Sequence, residues 1–98
     1  MARYLVLWDV DQNKIPIDRK ERANGWAALM AMVRQDIEKG LTTSWGTFVG
    51  ETGGYSVNEG TELELMNSLQ QYVPFVNFKV HVLASEDQVN EMIKALAT

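Results

Sequence analysis

Residues 43–51 (TSWGTFVGE), 52–54 (TGG) and 55–58 (YSVN) read as strand, turn and strand, and they stand between two stretches of helical periodicity. The first run is rich in β-branched and aromatic residues, and Thr52-Gly53-Gly54 supplies a turn, so the pair is a hairpin. Within it, Trp45, Thr47 and Val49 share one face, and Phe48 lies on the other between Gly46 and Gly50. Glu59-Gly60 reads as the end of the second strand. A hairpin flanked by helices is the middle of a βαββαβ order, and the rest of the chain completes it.

Upstream, the spacing predicts a helix over about 19–39. Asp18 starts it with Glu21 three residues on, and Trp26, Leu29, Met30, Val33 and Ile37 form one apolar stripe. Gly40 is a stop signal. Before this helix lie a polar loop, 11–17, carrying Pro16, and a strand over 3–10 (RYLVLWDV) that is apolar on both faces. Leu5 and Leu7 share one face of it; Tyr4, Val6 and Trp8 share the other.

Downstream, Thr61 with Glu64 caps a second helix whose apolar side is Leu65, Met66, Leu69, Tyr72 and Val73, and Pro74 ends it. Residues 75–83 (FVNFKVHVL) alternate as a strand, with Phe78, Val80 and Val82 on one face and Asn77, Lys79 and His81 on the other. Ser85 with Gln88 caps a last helix, about 86–97, striped by Val89, Met92, Ile93 and Leu96.

The expectation is a single α+β domain, 1–98, with a ferredoxin-like core over 3–83 and an extra C-terminal helix. Right-handed crossovers put both long helices on one face of a four-stranded antiparallel sheet. The other face, carrying part of the two-sided apolar first strand, needs a cover. A second copy packed face to face provides one; the alternative is that the last helix folds back over it. A homodimer or larger homo-oligomer is expected, because 46% of the residues are hydrophobic in a chain too small to bury them all.

Composition narrows the function classes. The net charge of −4 and the absence of a basic patch disfavour nucleic acid. With no cysteine there is no disulfide framework, no thiol nucleophile and no cysteine zinc site. A lone histidine, His81, and the lack of a carboxylate cluster leave no metal-ligand spacing, so no metal is expected. The apolar run at 4–8 is too short for a signal segment and meets Asp9 and Asp11 at once, so the mature chain is expected to begin at Met1 or Ala2. No stretch is long enough to span a bilayer, and a cytoplasmic location is expected.

Several short motifs carry a resemblance: Asp9-Val10 ending the first strand, Gly40 closing the first helix, Trp45 through Gly50-Glu51 to Tyr55-Ser56-Val57, the pairs Glu62-Leu63 and Glu64-Leu65, and Pro74-Phe75 leading to Lys79-Val80. In these the chain resembles the muconolactone isomerase-like group of dimeric α+β barrels over most of 3–83. The resemblance implies sheets paired into a barrel, a ligand between sheet and helices or at the barrel mouth, and assembly beyond dimers in some members. It also implies proton abstraction and return on a small lactone carboxylate without metal or organic cofactor. Glu51, Tyr55 and Lys79 are the positions it carries over. Leu5 and Leu7 depart from it, standing where polar, ligand-facing residues would be expected.

Glu51 is thus either an exposed charge at a hairpin or a proton shuttle, with Tyr55 a hydroxyl able to orient a ligand. Lys79 and His81 either guard the solvated face of an edge strand or supply positive charge for a carboxylate. Trp45 is an interface or core aromatic or part of a ligand wall. Asp9 either marks the strand's exit or is the acid at the barrel mouth. Three functions follow: a small-molecule enzyme or binder of the muconolactone isomerase-like kind, acting on an unsaturated carboxylate or lactone; a non-catalytic ligand-binding or assembly module; and a cofactor-free monooxygenase-like barrel.

Overall fold

A computed structural model describes residues 2–98, so Met1, one of the two expected starting residues, lies outside the described residues. The elements are β1 (Ala2–Val10), a 3-10 turn (Gln12–Lys14), α1 (Arg19–Glu38), β2 (Thr42–Thr47), β3 (Gly53–Gly60), α2 (Glu62–Gln70), β4 (Val76–Leu83) and α3 (Glu86–Leu96). The antiparallel sheet has the order β2-β3-β1-β4. This is the ferredoxin-like arrangement with a C-terminal helix. No helix among the described residues is long and apolar enough to cross a membrane.

The helix starts are built as the sequence spells them. Asp18 accepts from the Glu21 N–H, and complete capping boxes join Thr61 to Glu64 and Ser85 to Gln88. At the end of α1, Gly40 takes a φ of +79°, the left-handed conformation that terminates a helix at least cost in a residue without Cβ.

The hairpin differs from the reading above. β2 stops at Thr47, the turn occupies 48–52, and Gly53 and Gly54 belong to β3, which runs on through Glu59 and Gly60. The reason is packing from β1. Gly54 pairs with Trp8, and a Cβ there would lie 2.6 Å from the Trp8 indole and against the Gly46 carbonyl. Glycine serves here for close approach within a strand. Glu59 stays in the ladder opposite Arg3, with which it forms an ion pair of 3.1 Å.

Inward-facing Tyr4, Val6 and Trp8 are buried against the helices, and Leu5 and Leu7 are half-buried on the uncovered face. Trp8 stacks on Trp45 at 5.4 Å and meets Trp26 edge-on at 6.3 Å. Val33, Tyr72 and Val76 complete that core; Leu65 closes a second one with Tyr4 and Val6.

Candidate functional site

β3 turns Gly54, Ser56, Asn58 and Gly60 toward the helices, so the middle of the sheet offers small and polar groups where bulky ones would be usual. The space above them is shared between aromatic rings and a buried polar cluster. The Ser56 hydroxyl donates to the Asn58 side-chain oxygen (2.7 Å), whose amide donates to the Thr42 hydroxyl (3.1 Å). From the helix side comes Asp36, only 3% exposed, which accepts from the Ser68 hydroxyl (2.7 Å) and the Tyr72 hydroxyl (3.4 Å). Burial first, then the charge of Asp36 and the bond to it, pushes the Tyr72 hydroxyl well above the ordinary tyrosine range. These groups surround a void of about 30 Å³, enough for one water, with Trp8 and Trp45 in its wall.

Leu29, Tyr72 and Val76 also border a second, far larger space of about 450 Å³ under the first half of α1. Its walls are Val10, Ile15, Pro16, Trp26, Met32 and Phe75. Two cations, Lys14 and Arg22, and one carboxylate, Glu51, reach its lining. Arg22 is tethered by donating to the Ile17 carbonyl at 2.7 Å, which leaves further guanidinium N–H groups for a ligand. Apolar walls with a few convergent polar groups are the general form of a small-molecule site.

The residues singled out in the sequence are divided by the sheet. Glu51 borders the large cavity and Trp45 the small void, both on the helix side. Tyr55, Lys79 and His81 are on the uncovered face: Tyr55 and Lys79 flank Leu7, and His81 pairs with Leu5. The Tyr55 hydroxyl lies 2.9 Å from the Ser44 hydroxyl. Asp9 is exposed at the end of that face and accepts from the Thr52 hydroxyl at 2.9 Å. Glu51 and Tyr55 are therefore not brought together, because the alternation of β3 sends the tyrosine away from the cavity.

Asp36, Ser68, Tyr72, Lys14 and Arg22 were not singled out by sequence reasoning. Asp36 did carry a signal: it stands three residues beyond Val33 and seven beyond Leu29, a carboxyl in the apolar stripe. Ser68 likewise stands three residues beyond Leu65 and four before Tyr72. The cations carried none, since their role depends on where a loop and a helix face meet. Among the described residues no group of three or more metal-ligating side chains occurs. Compared with known protein families and with curated proteins, the chain finds no match in either.

Proposed function

We propose that the chain binds a small organic acid with an apolar body, of the unsaturated carboxylate or lactone class, in the cavity beneath α1. The observation that carries this is one roughly 450 Å³ space in which an aromatic and aliphatic wall ends at Lys14 and Arg22. The wall takes the carbon skeleton, and the two cations take the carboxylate. Titration with small unsaturated carboxylates and lactones, followed by amide chemical shifts, tests it. Lys14→Met with Arg22→Met should weaken carboxylates at least about tenfold and leave neutral lactones nearly unchanged, a tenfold step being about 1.4 kcal/mol. Ala28→Trp should fill the space and abolish both. No binding by the wild type at millimolar ligand rejects the reading.

A second reading, proton transfer without a cofactor, is favoured by Glu51 at the lining of the same cavity. A carboxylate there can take a proton from the carbon next to the carbonyl of an unsaturated ligand and return it two carbons along, at the far end of the double bond, which thereby moves by one position. Deuterium incorporation from heavy water into bound ligand, lost in Glu51→Gln, is the expected result. Binding without exchange in the wild type assigns the chain to the non-catalytic binding or assembly class. In either reading two copies pair through the uncovered sheet face, where Leu5, Leu7 and Val57 lie side by side.

A further inference from the structure

The C-terminal helix has no place in the body of its own subunit. α3 has no buried residue, and its stripe of Val89, Met92, Ile93 and Leu96 is open to solvent, Leu96 at 77% exposure. The molecule is accordingly drawn out, 61 Å by 26 Å by 20 Å, with a radius of gyration of 16.4 Å against about 13 Å for a compact chain of this length. Such a helix leaves its apolar area in water unless something receives it.

A receiving surface exists on the same chain. On the helix side of edge strand β4, Val80 and Val82 lie opposite Val6 and Tyr4, yet Val82 is 73% exposed. The nine-residue α2 covers β1 through Leu65, and Ser68 on it and Tyr72 just past its end both donate to Asp36 of α1, so its opposite flank is turned to the β4 side. That flank carries Met66, 64% exposed, and Val73, half-exposed, follows in the turn after the helix. Exposed Met66 and Val73 on one side and Val80 and Val82 on the other make up an apolar trough. Its length suits α3: eleven helical residues span about 16 Å at 1.5 Å each, and Phe78 to Leu83 spans about 17 Å at 3.3 Å per residue.

We infer that α3 of one copy seats its Val89–Met92–Ile93–Leu96 stripe in the α2–β4 trough of a second copy, and that the exchange is reciprocal. Helix and strand are joined only by Ala84 and Ser85, and Ser85 is extended, at φ −81° and ψ 166°, and locked in its capping box. A short hinge between an element and the body of its subunit invites exchange between copies. A two-fold axis lets each trough receive the helix that the other subunit presents. The interface is separate from the uncovered sheet face and from the ligand cavity.

Because the chain has no cysteine, the pairing can be read directly. The full-length double variant Val82→Cys/Ile93→Cys is oxidised at micromolar concentration and run on a non-reducing gel. The expected product is a covalent dimer that reductant dissolves, formed equally in a Leu7→Lys background, where sheet pairing is lost. Mixing Met92→Asp/Ile93→Asp with Val82→Asp copies, both in the Leu7→Lys background, should restore one intact helix–trough contact and give a mixed dimer by light scattering where each variant alone is a monomer. A cross-link within one chain, or a mixture that stays monomeric, overturns the exchange. Ligand binding by the α3 variant reports on the cavity independently, so the two readings fail separately.

Discussion

Tyr72 joins the two spaces of the helix side, and its chemistry is set by what surrounds it. Its ring is edge-on to Phe78 at 5.8 Å, and its hydroxyl donates to Asp36. Burial, then the neighbouring charge, favours the neutral phenol in the folded state. A group whose folded value is raised contributes stability that is fully present below the unfolded value, about 10 for tyrosine. That contribution is lost as the pH rises through the folded value. The phenolate of Tyr72 should therefore develop only as the protein unfolds in alkali. Tyr72→Phe should make stability above about pH 10 less steeply pH-dependent, at the loss of about 0.5–1.5 kcal/mol at neutrality for the hydrogen bond. Ultraviolet titration of the phenolate band checks this; full tyrosine titration with the fold intact would exclude it.

At the scale of the element, α2 shows how local chemistry sets boundaries while packing sets meaning. Its first turn is closed by the Thr61–Glu64 box, and the Thr61 backbone N–H, followed by its hydroxyl, holds the Glu64 carboxyl below its ordinary range. A lowered folded value gives stability that is present above the unfolded value and lost as the pH falls through the folded one. Acid should thus fray the start of α2, and Glu64→Gln should remove that pH dependence. Amide exchange at residues 62–65 between about pH 5 and pH 2 is the measurement, the upper bound lying just above the usual glutamate value. Thr61→Ala should cost about 1 kcal/mol at neutral pH. In the core beside α1, Trp8→Ala should cost about 3–5 kcal/mol, since it removes both the stack on Trp45 and the edge contact with Trp26. A midpoint shift in denaturant corresponding to less than about 1 kcal/mol would contradict the assigned core.

The whole molecule is a thin layer of two helices on a sheet, with one sheet face uncovered and one helix unpacked. The uncovered face mixes Leu5, Leu7 and Val57 with Tyr55, Lys79 and His81. Pairing of two such faces predicts that Leu7→Lys halves the mass measured by light scattering at micromolar concentration, or leaves only the exchanged-helix dimer. An unchanged assembly in Leu7→Lys combined with Met92→Asp/Ile93→Asp would show that neither surface is used.

The element order, the three helix starts and the facing of β1 and β4 were legible in the sequence. They depend on caps, period and alternation, which act over a few residues. The end of β2 and the start of β3 were not, because Gly53 and Gly54 look like a turn until Trp8 is laid across them from β1, 46 positions away from Gly54. The candidate site was legible only in part. Glu51 and Trp45 reached the helix side, whereas Tyr55, Lys79 and His81 fell on the other, because one step of alternation along a strand reverses the face. The cavity itself, with Lys14 from a loop, Arg22 from a helix and Glu51 from a hairpin, exists only once three distant segments converge. The stripe of α3 was readable from residues 89–96 alone. That it lies free of its own subunit is decided by the two-residue hinge and the direction in which β4 ends.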